Sequence, residues 1–102
     1  MITVITEFKL PKGTSLAKAT ELFRASVPRY AGFPGLIRKY YLYGADESVK
    51  GIYLWESRAA AEKLYTAEFR KGVKERFGSD PTITFFETPI VIDNLTKETI
   101  AA

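Results

Sequence analysis

Strand-like and helical runs in the order β-α-β-β-α-α-β predict an α+β fold of the ferredoxin-like split βαβ kind. In that arrangement a four-stranded antiparallel sheet carries its helices on one face. A second observation concerns the central hairpin, GLIRKYYLYG and VKGIYLWES around the polar loop Ala45-Asp46-Glu47. It lacks the apolar-in, polar-out alternation of a sheet with one wet face. Leu36, Arg38, Tyr40 and Leu42 alternate with Ile37, Lys39, Tyr41 and Tyr43, and Gly51, Tyr53 and Trp55 alternate with Lys50, Ile52, Leu54 and Glu56. Both faces are largely apolar or aromatic, so one is expected beneath the chain's own helices and the other against a second copy of the protein.

The remaining elements follow from local chemistry. Ile2 to Lys9 is rich in β-branched residues and reads as the first strand, ended by the turn Pro11-Lys12-Gly13. Thr14 or Ser15 can cap a helix whose buried stripe is Leu16, Ala19, Leu22, Phe23, Val27 and Tyr30. Pro28 lacks an N–H and is expected either to kink that helix or to end it at Val27. Residues 31–35 form the loop into the hairpin. Ser57 caps an alanine-rich helix from Arg58 to Tyr65, and Thr66 caps another from Ala67 to Phe77, with Gly78 suited to the left-handed position beyond its end. Thr82 to Ile92 reads as one last strand with Pro89 at a bulge or an edge. The tail from Asn94 to Ala102 is weakly patterned, either frayed or packed on a neighbour.

At 102 residues, 46% hydrophobic and 14% aromatic, the chain is expected to form one globular domain over 1–102. No apolar run reaches the roughly 18 residues of a membrane span. The N-terminus lacks the charged and apolar regions of a signal peptide, so a cytoplasmic location is the default expectation. The net charge of +3 is spread along the chain and leaves no basic block for nucleic acid. There is no histidine and no cysteine, which removes the usual general base, haem ligand and zinc ligands together. No metal and no cofactor is expected.

The side chains with most chemical promise are the aromatic and basic set on the hairpin. Tyr53 and Trp55 would wall a pocket for a flat aromatic molecule between sheet and helices. Arg38 and Tyr40 would orient a phenol or stabilise an oxyanion. Tyr65 and Phe69, on the covering helices, would close the pocket, with Tyr65 also a hydrogen-bond partner. The alternative is that all six are packing residues. The hairpin register is open, and with it whether Tyr40 or Tyr41 shares a face with Trp55. Nucleic acid is disfavoured on its own evidence. Lys50-Gly51-Ile52-Tyr53 begins like an RNA-recognition motif, but Ile52 and Leu54 stand where stacking rings are required and Ser57 replaces the motif's last aromatic. The carboxylates are scattered, and Ser57 is explained as a cap.

The run Phe33-Pro34-Gly35-Leu36-Ile37-Arg38-Lys39-Tyr40-Tyr41, followed by Gly51-Ile52-Tyr53-Leu54-Trp55, resembles the YdhR-like mono-oxygenases of the dimeric α+β barrel superfamily, which also holds the antibiotic-biosynthesis mono-oxygenases. The likeness continues to Phe85-Phe86-Glu87 and Val91-Ile92-Asp93-Asn94. It implies a homodimer in which two sheets pack face to face as a barrel. It also implies cofactor-independent oxidation of a small phenolic compound by O₂, with Trp55, Arg38 and Tyr40 in catalytic roles and Tyr53, Tyr65 and Phe69 binding substrate. Trp55 matches the tryptophan lining the cavity of quinone-forming relatives, whereas their cavity asparagine corresponds to Gly51. The superfamily's haem-degrading branch needs a histidine that this chain lacks. A non-catalytic ligand-binding or structural homodimer is the alternative.

Overall fold

A computed structural model describes residues 1–101. Its elements are β1 (Ile2–Lys9), α1 (Leu16–Tyr30), β2 (Leu36–Tyr43), β3 (Ser48–Trp55), α2 (Arg58–Glu62), α3 (Ala67–Phe77), β4 (Thr82–Glu87), β5 (Ile90–Asp93) and β6 (Glu98–Ala101). The first four strands form an antiparallel sheet in the order β2-β3-β1-β4, so the expected α+β split βαβ topology is present. The register places Ile2, Val4 and Thr6 opposite Trp55, Tyr53 and Gly51. Because side chains alternate across a strand, these residues share one face. Ile2, Val4, Tyr53 and Trp55 bury that face with Tyr30, Ala61 and Leu64 from the helical segments. A second cluster, Leu10, Ala19 and Val49, closes the other end.

The helices begin where oxygen-bearing side chains supply acceptors. Ser15 Oγ accepts from Lys18 N at 3.1 Å, Ser57 Oγ from Ala60 N at 3.1 Å and Thr66 Oγ1 from Phe69 N at 3.2 Å. Each bond satisfies an N–H with no partner inside the helix. Gly78 sits at φ 86° just past α3, as its position suggests. Pro28 does not end α1, which continues to Tyr30. The Ala31 N–H still reaches Val27 O at 2.9 Å, because a proline this near the end removes only one hydrogen bond. α2 is shorter than expected and stops at Glu62. Thr66 must adopt extended angles (φ −90°, ψ 172°) to cap α3, so the residues between the helices turn instead of continuing.

The C-terminal third departs from the sequence reading. Thr82–Ile92 is not one strand: the chain breaks at Thr88-Pro89, where the proline has no N–H to continue the ladder. β5 then leaves the main sheet and pairs with β6 as a separate hairpin, Ile90 opposite Ala101 and Asp93 opposite Glu98. The tail is therefore structured over 94–101. Asp93 Oδ1 closes the turn by accepting from Leu95 N at 2.9 Å and Thr96 N at 3.2 Å, and Lys97 takes φ 60°. Its other oxygen, Oδ2, receives Arg38 Nη2 at 2.7 Å, which ties the hairpin to β2. Ala102 lies outside the described residues.

Candidate functional site

One irregularity decides which hairpin side chains meet. Leu36 pairs with Trp55, but Arg38, not Ile37, pairs with Leu54. This bulge inserts a residue and moves everything after it to the opposite face. Lys39, Tyr41 and Tyr43 therefore lie opposite Tyr53, Gly51 and Val49 on the helix-covered face, while Arg38, Tyr40 and Leu42 point to the bare face. The expected grouping of Arg38 and Tyr40 with Tyr53 and Trp55 is corrected accordingly. Arg38 is engaged with Asp93, whose carboxyl it holds below the usual range; in turn the guanidinium is stabilised by that carboxylate and by Tyr40. Arg38 and Tyr40 line a separate groove of about 150 Å³ with Ile52, Leu54 and Val91.

Trp55 is completely buried. Its Nε1 donates to the Tyr65 hydroxyl at 3.0 Å, and rings of Phe33, Tyr53 and Tyr65 surround it at centroid distances of 5.6, 6.3 and 5.9 Å. Tyr65 also meets Phe69 and Phe85 edge-on, at 5.3 and 5.7 Å. Edge-to-face contacts of this kind align positive ring edges with negative faces. Burial pushes the Tyr53 and Tyr65 hydroxyls far above the ordinary tyrosine range, so both stay protonated. Trp55 and Tyr65 thus form the floor of the packed core.

A cleft lies farther along the same face, between the sheet and helices α1 and α3. Its walls include Phe23, Tyr30, Tyr41, Tyr53, Phe69 and Phe77, and its charged residues are Lys39, Arg76 and Lys50, the last paired with Glu7 at 3.7 Å. Of the six side chains singled out in the sequence, only Tyr53 and Phe69 line it. The free space is about 50 Å³, against the ~150 Å³ of an apolar cavity that admits benzene. A ring enters only if a flexible side chain, Lys39 or Arg76, swings aside. Gly51 explains part of this narrowness. A Cβ there would come within 2.8 Å of Tyr53 Cε1 and 2.9 Å of Thr6 Oγ1, so the glycine makes room for the tyrosine ring.

Lys39 is the residue the sequence reading passed over. Its Nζ lies 3.4 Å from the Tyr30 ring centroid, 4.0 Å from Tyr41 and 4.5 Å from Tyr53. Among the described residues it has neither an ion pair nor a side-chain hydrogen bond. Burial, followed by repulsion from Arg29 and Arg76, brings its pKa from 10.5 down to about 7. The ring faces pull the other way, since their quadrupoles favour the ammonium. An amine balanced near neutrality can both give and take a proton. The available signal was a lysine two residues before an aromatic on an inward face, which becomes legible only with the register in hand. Among the described residues no group of three potential ligands could hold a metal ion, and no helix is long and apolar enough to cross a membrane.

No protein-family model matches the chain, and no curated protein does. Solved structures do. An antibiotic biosynthesis monooxygenase aligns with TM-score 0.64 at 18% identity, covering 86% of this chain and 98% of that one. A monooxygenase from the gene ActVA-Orf6 of Streptomyces coelicolor, in complex with the ligand Nanaomycin D, aligns with TM-score 0.64 at 20% identity, covering 85% and 86%. SnoaB, a cofactor-independent oxygenase from Streptomyces nogalater, gives TM-score 0.63 at 20% identity, covering 85% and 91%. Likeness at this level concerns architecture rather than activity. The chain therefore has the α+β fold of the antibiotic-biosynthesis monooxygenase structures.

Proposed function

We propose that this protein binds a small phenolic compound in the cleft between the sheet and helices α1 and α3, and oxidises it with O₂ as a cofactor-independent mono-oxygenase. The observation that carries the reading is the cleft itself, walled by aromatic rings and holding an uncompensated amine near its neutral point. The fold shared with a cofactor-independent oxygenase supports it. The overall change is balanced without an external reductant: a phenol bearing a para C–H, plus O₂, gives a para-quinone and water. One oxygen atom enters the ring and the other leaves as water, while the substrate supplies all the electrons. The protein's part is to orient the ring against tyrosine faces, exclude water and stabilise the oxyanion.

A second copy completes the fold in this reading. Tyr40, Leu42 and Phe86 leave large apolar surface exposed on the bare sheet face, and Ile90 and Ile92 on the hairpin add to it. Two such faces packed together make a barrel. Sedimentation at micromolar concentration should give twice the 11.5 kDa chain mass, and a stable monomer would remove the barrel.

The competing reading is a non-catalytic binding or structural protein, favoured by the small cleft and by the complete packing of Trp55. Oxygen uptake with a panel of phenols and 1-naphthols that keep a para C–H separates the two. Turnover above buffer that is lost on blocking the cleft with Gly51→Leu, in protein that circular dichroism shows to be folded, supports the oxygenase. Uptake equal to buffer across the panel rejects it.

A further inference from the structure

We infer that Lys39 accepts the phenolic proton and then holds the phenolate as its ammonium counter-ion. The inference rests on the cleft being the phenol site and adds the group that performs the first step there.

Three features of the geometry meet at one atom. Nζ stands in front of three tyrosine rings, the surfaces on which an aromatic ligand would stack. It has no carboxylate partner among the described residues, whereas six of the other lysines and arginines pair with acids at 2.7–3.9 Å: Lys18, Arg38, Lys50, Arg58, Lys71 and Lys74. The other charges that approach it are also positive: Arg29 from α1 and Arg76 from α3. The rings facing it belong to Tyr30, Tyr41 and Tyr53, and burial raises the hydroxyl pKa of the last two and keeps them neutral. The pocket therefore contains an excess of cationic groups and a proton acceptor but no anion. A phenol supplies both missing partners. Its ring takes the tyrosine faces that Nζ vacates, and its oxygen gives Nζ a counter-charge.

The step is a single proton transfer. The phenol O–H bond breaks, its electron pair stays on oxygen, and an N–H bond forms at Nζ. The resulting ammonium–phenolate pair is held beside Arg76, and the electron-rich ring is the form that reduces O₂. With no histidine in the chain and burial raising the Tyr41 and Tyr53 hydroxyls, Lys39 is the one amine among the groups that line the cleft whose burial brings it near neutrality.

The test uses 4-nitrophenol, which is colourless when neutral and yellow as its anion. The intact protein is titrated with it across the pH range in which the free compound changes colour, alongside Lys39→Met and Lys39→Arg. For the wild type the bound compound should turn yellow at a proton concentration at least tenfold higher than the free compound. Lys39→Met should bind it colourless, and Lys39→Arg should restore the yellow form, because a guanidinium also stabilises the anion. Circular dichroism establishes that both variants are folded. Saturable binding that leaves the colour transition where it is in water overturns the Lys39 assignment and spares the cleft. No saturable binding to any of the three overturns the cleft and this inference with it.

Discussion

Replacing Lys39 by methionine removes an amine while keeping a long apolar stem against the tyrosine rings, so it isolates the energetic consequence of burying that charge. In the unfolded chain the amine titrates near its ordinary 10.5, and in the folded protein at about 7. Between those values the unfolded state binds more protons, so the wild type gains stability as pH rises. Linkage over about pH 6 to about pH 9.5 gives a gain of about 2–3 kcal/mol, the lower figure allowing for the pull of the ring faces on the ammonium. Groups common to both proteins cancel in the difference. The stability of Lys39→Met minus that of wild type should therefore be largest near pH 6, with the variant the more stable, and shrink by about 2–3 kcal/mol by pH 9.5. Urea unfolding at closely spaced pH values, with unchanged slopes against denaturant, provides the measurement. A difference that stays flat across this range would mean that Lys39 is fully hydrated, and the electrostatic reasoning about the cleft would fail.

Other substitutions probe the remaining contacts. Trp55→Phe removes ring volume from a fully buried site together with the Nε1–Tyr65 bond, and should lower stability by about 2–3 kcal/mol in denaturant titrations; an unchanged midpoint would contradict the packing described. Gly51→Ala forces a Cβ against Tyr53 and Thr6 and should cost about 1–3 kcal/mol, whereas a neutral effect would show that the Tyr53 ring can yield freely. Asp93→Ala releases both Arg38 and the Leu95 and Thr96 amides, so amide exchange over β5 and β6 should accelerate while β1 and β3 stay protected. Because the Asp93 carboxyl is held below its ordinary value, that tie is present above the unfolded-state pKa and is lost as pH falls through the folded one; hairpin exchange in the wild type should quicken only on that acid side.

The elements that could be read from the sequence are those set by neighbours within a few residues. Ser57, Thr66 and Gly78 marked helix boundaries correctly because caps act through one or two local hydrogen bonds. Pro89 was recognised as an interruption, but whether the chain would bulge or leave the sheet depended on a partner for β5, and β6 carries too little periodicity to announce itself. The candidate site divided in the same way. Tyr53 and Phe69 reached the cleft because simple alternation and helical spacing sufficed for them. Arg38 and Tyr40 did not, because one inserted residue at Ile37 reverses the strand.

From the sequence alone came the order of strands and helices as far as β4, the two-faced hairpin, and the exclusion of histidine and thiol chemistry, all consequences of residue type and short-range spacing. Only the tertiary structure decided that Lys39 rather than Arg38 faces the tyrosines, that Trp55 is packed solid, and that the chain's end folds back as a hairpin held by Asp93. Register is the physical reason. It is settled by the sum of many distant contacts, and a shift of a single residue exchanges the two faces of a strand.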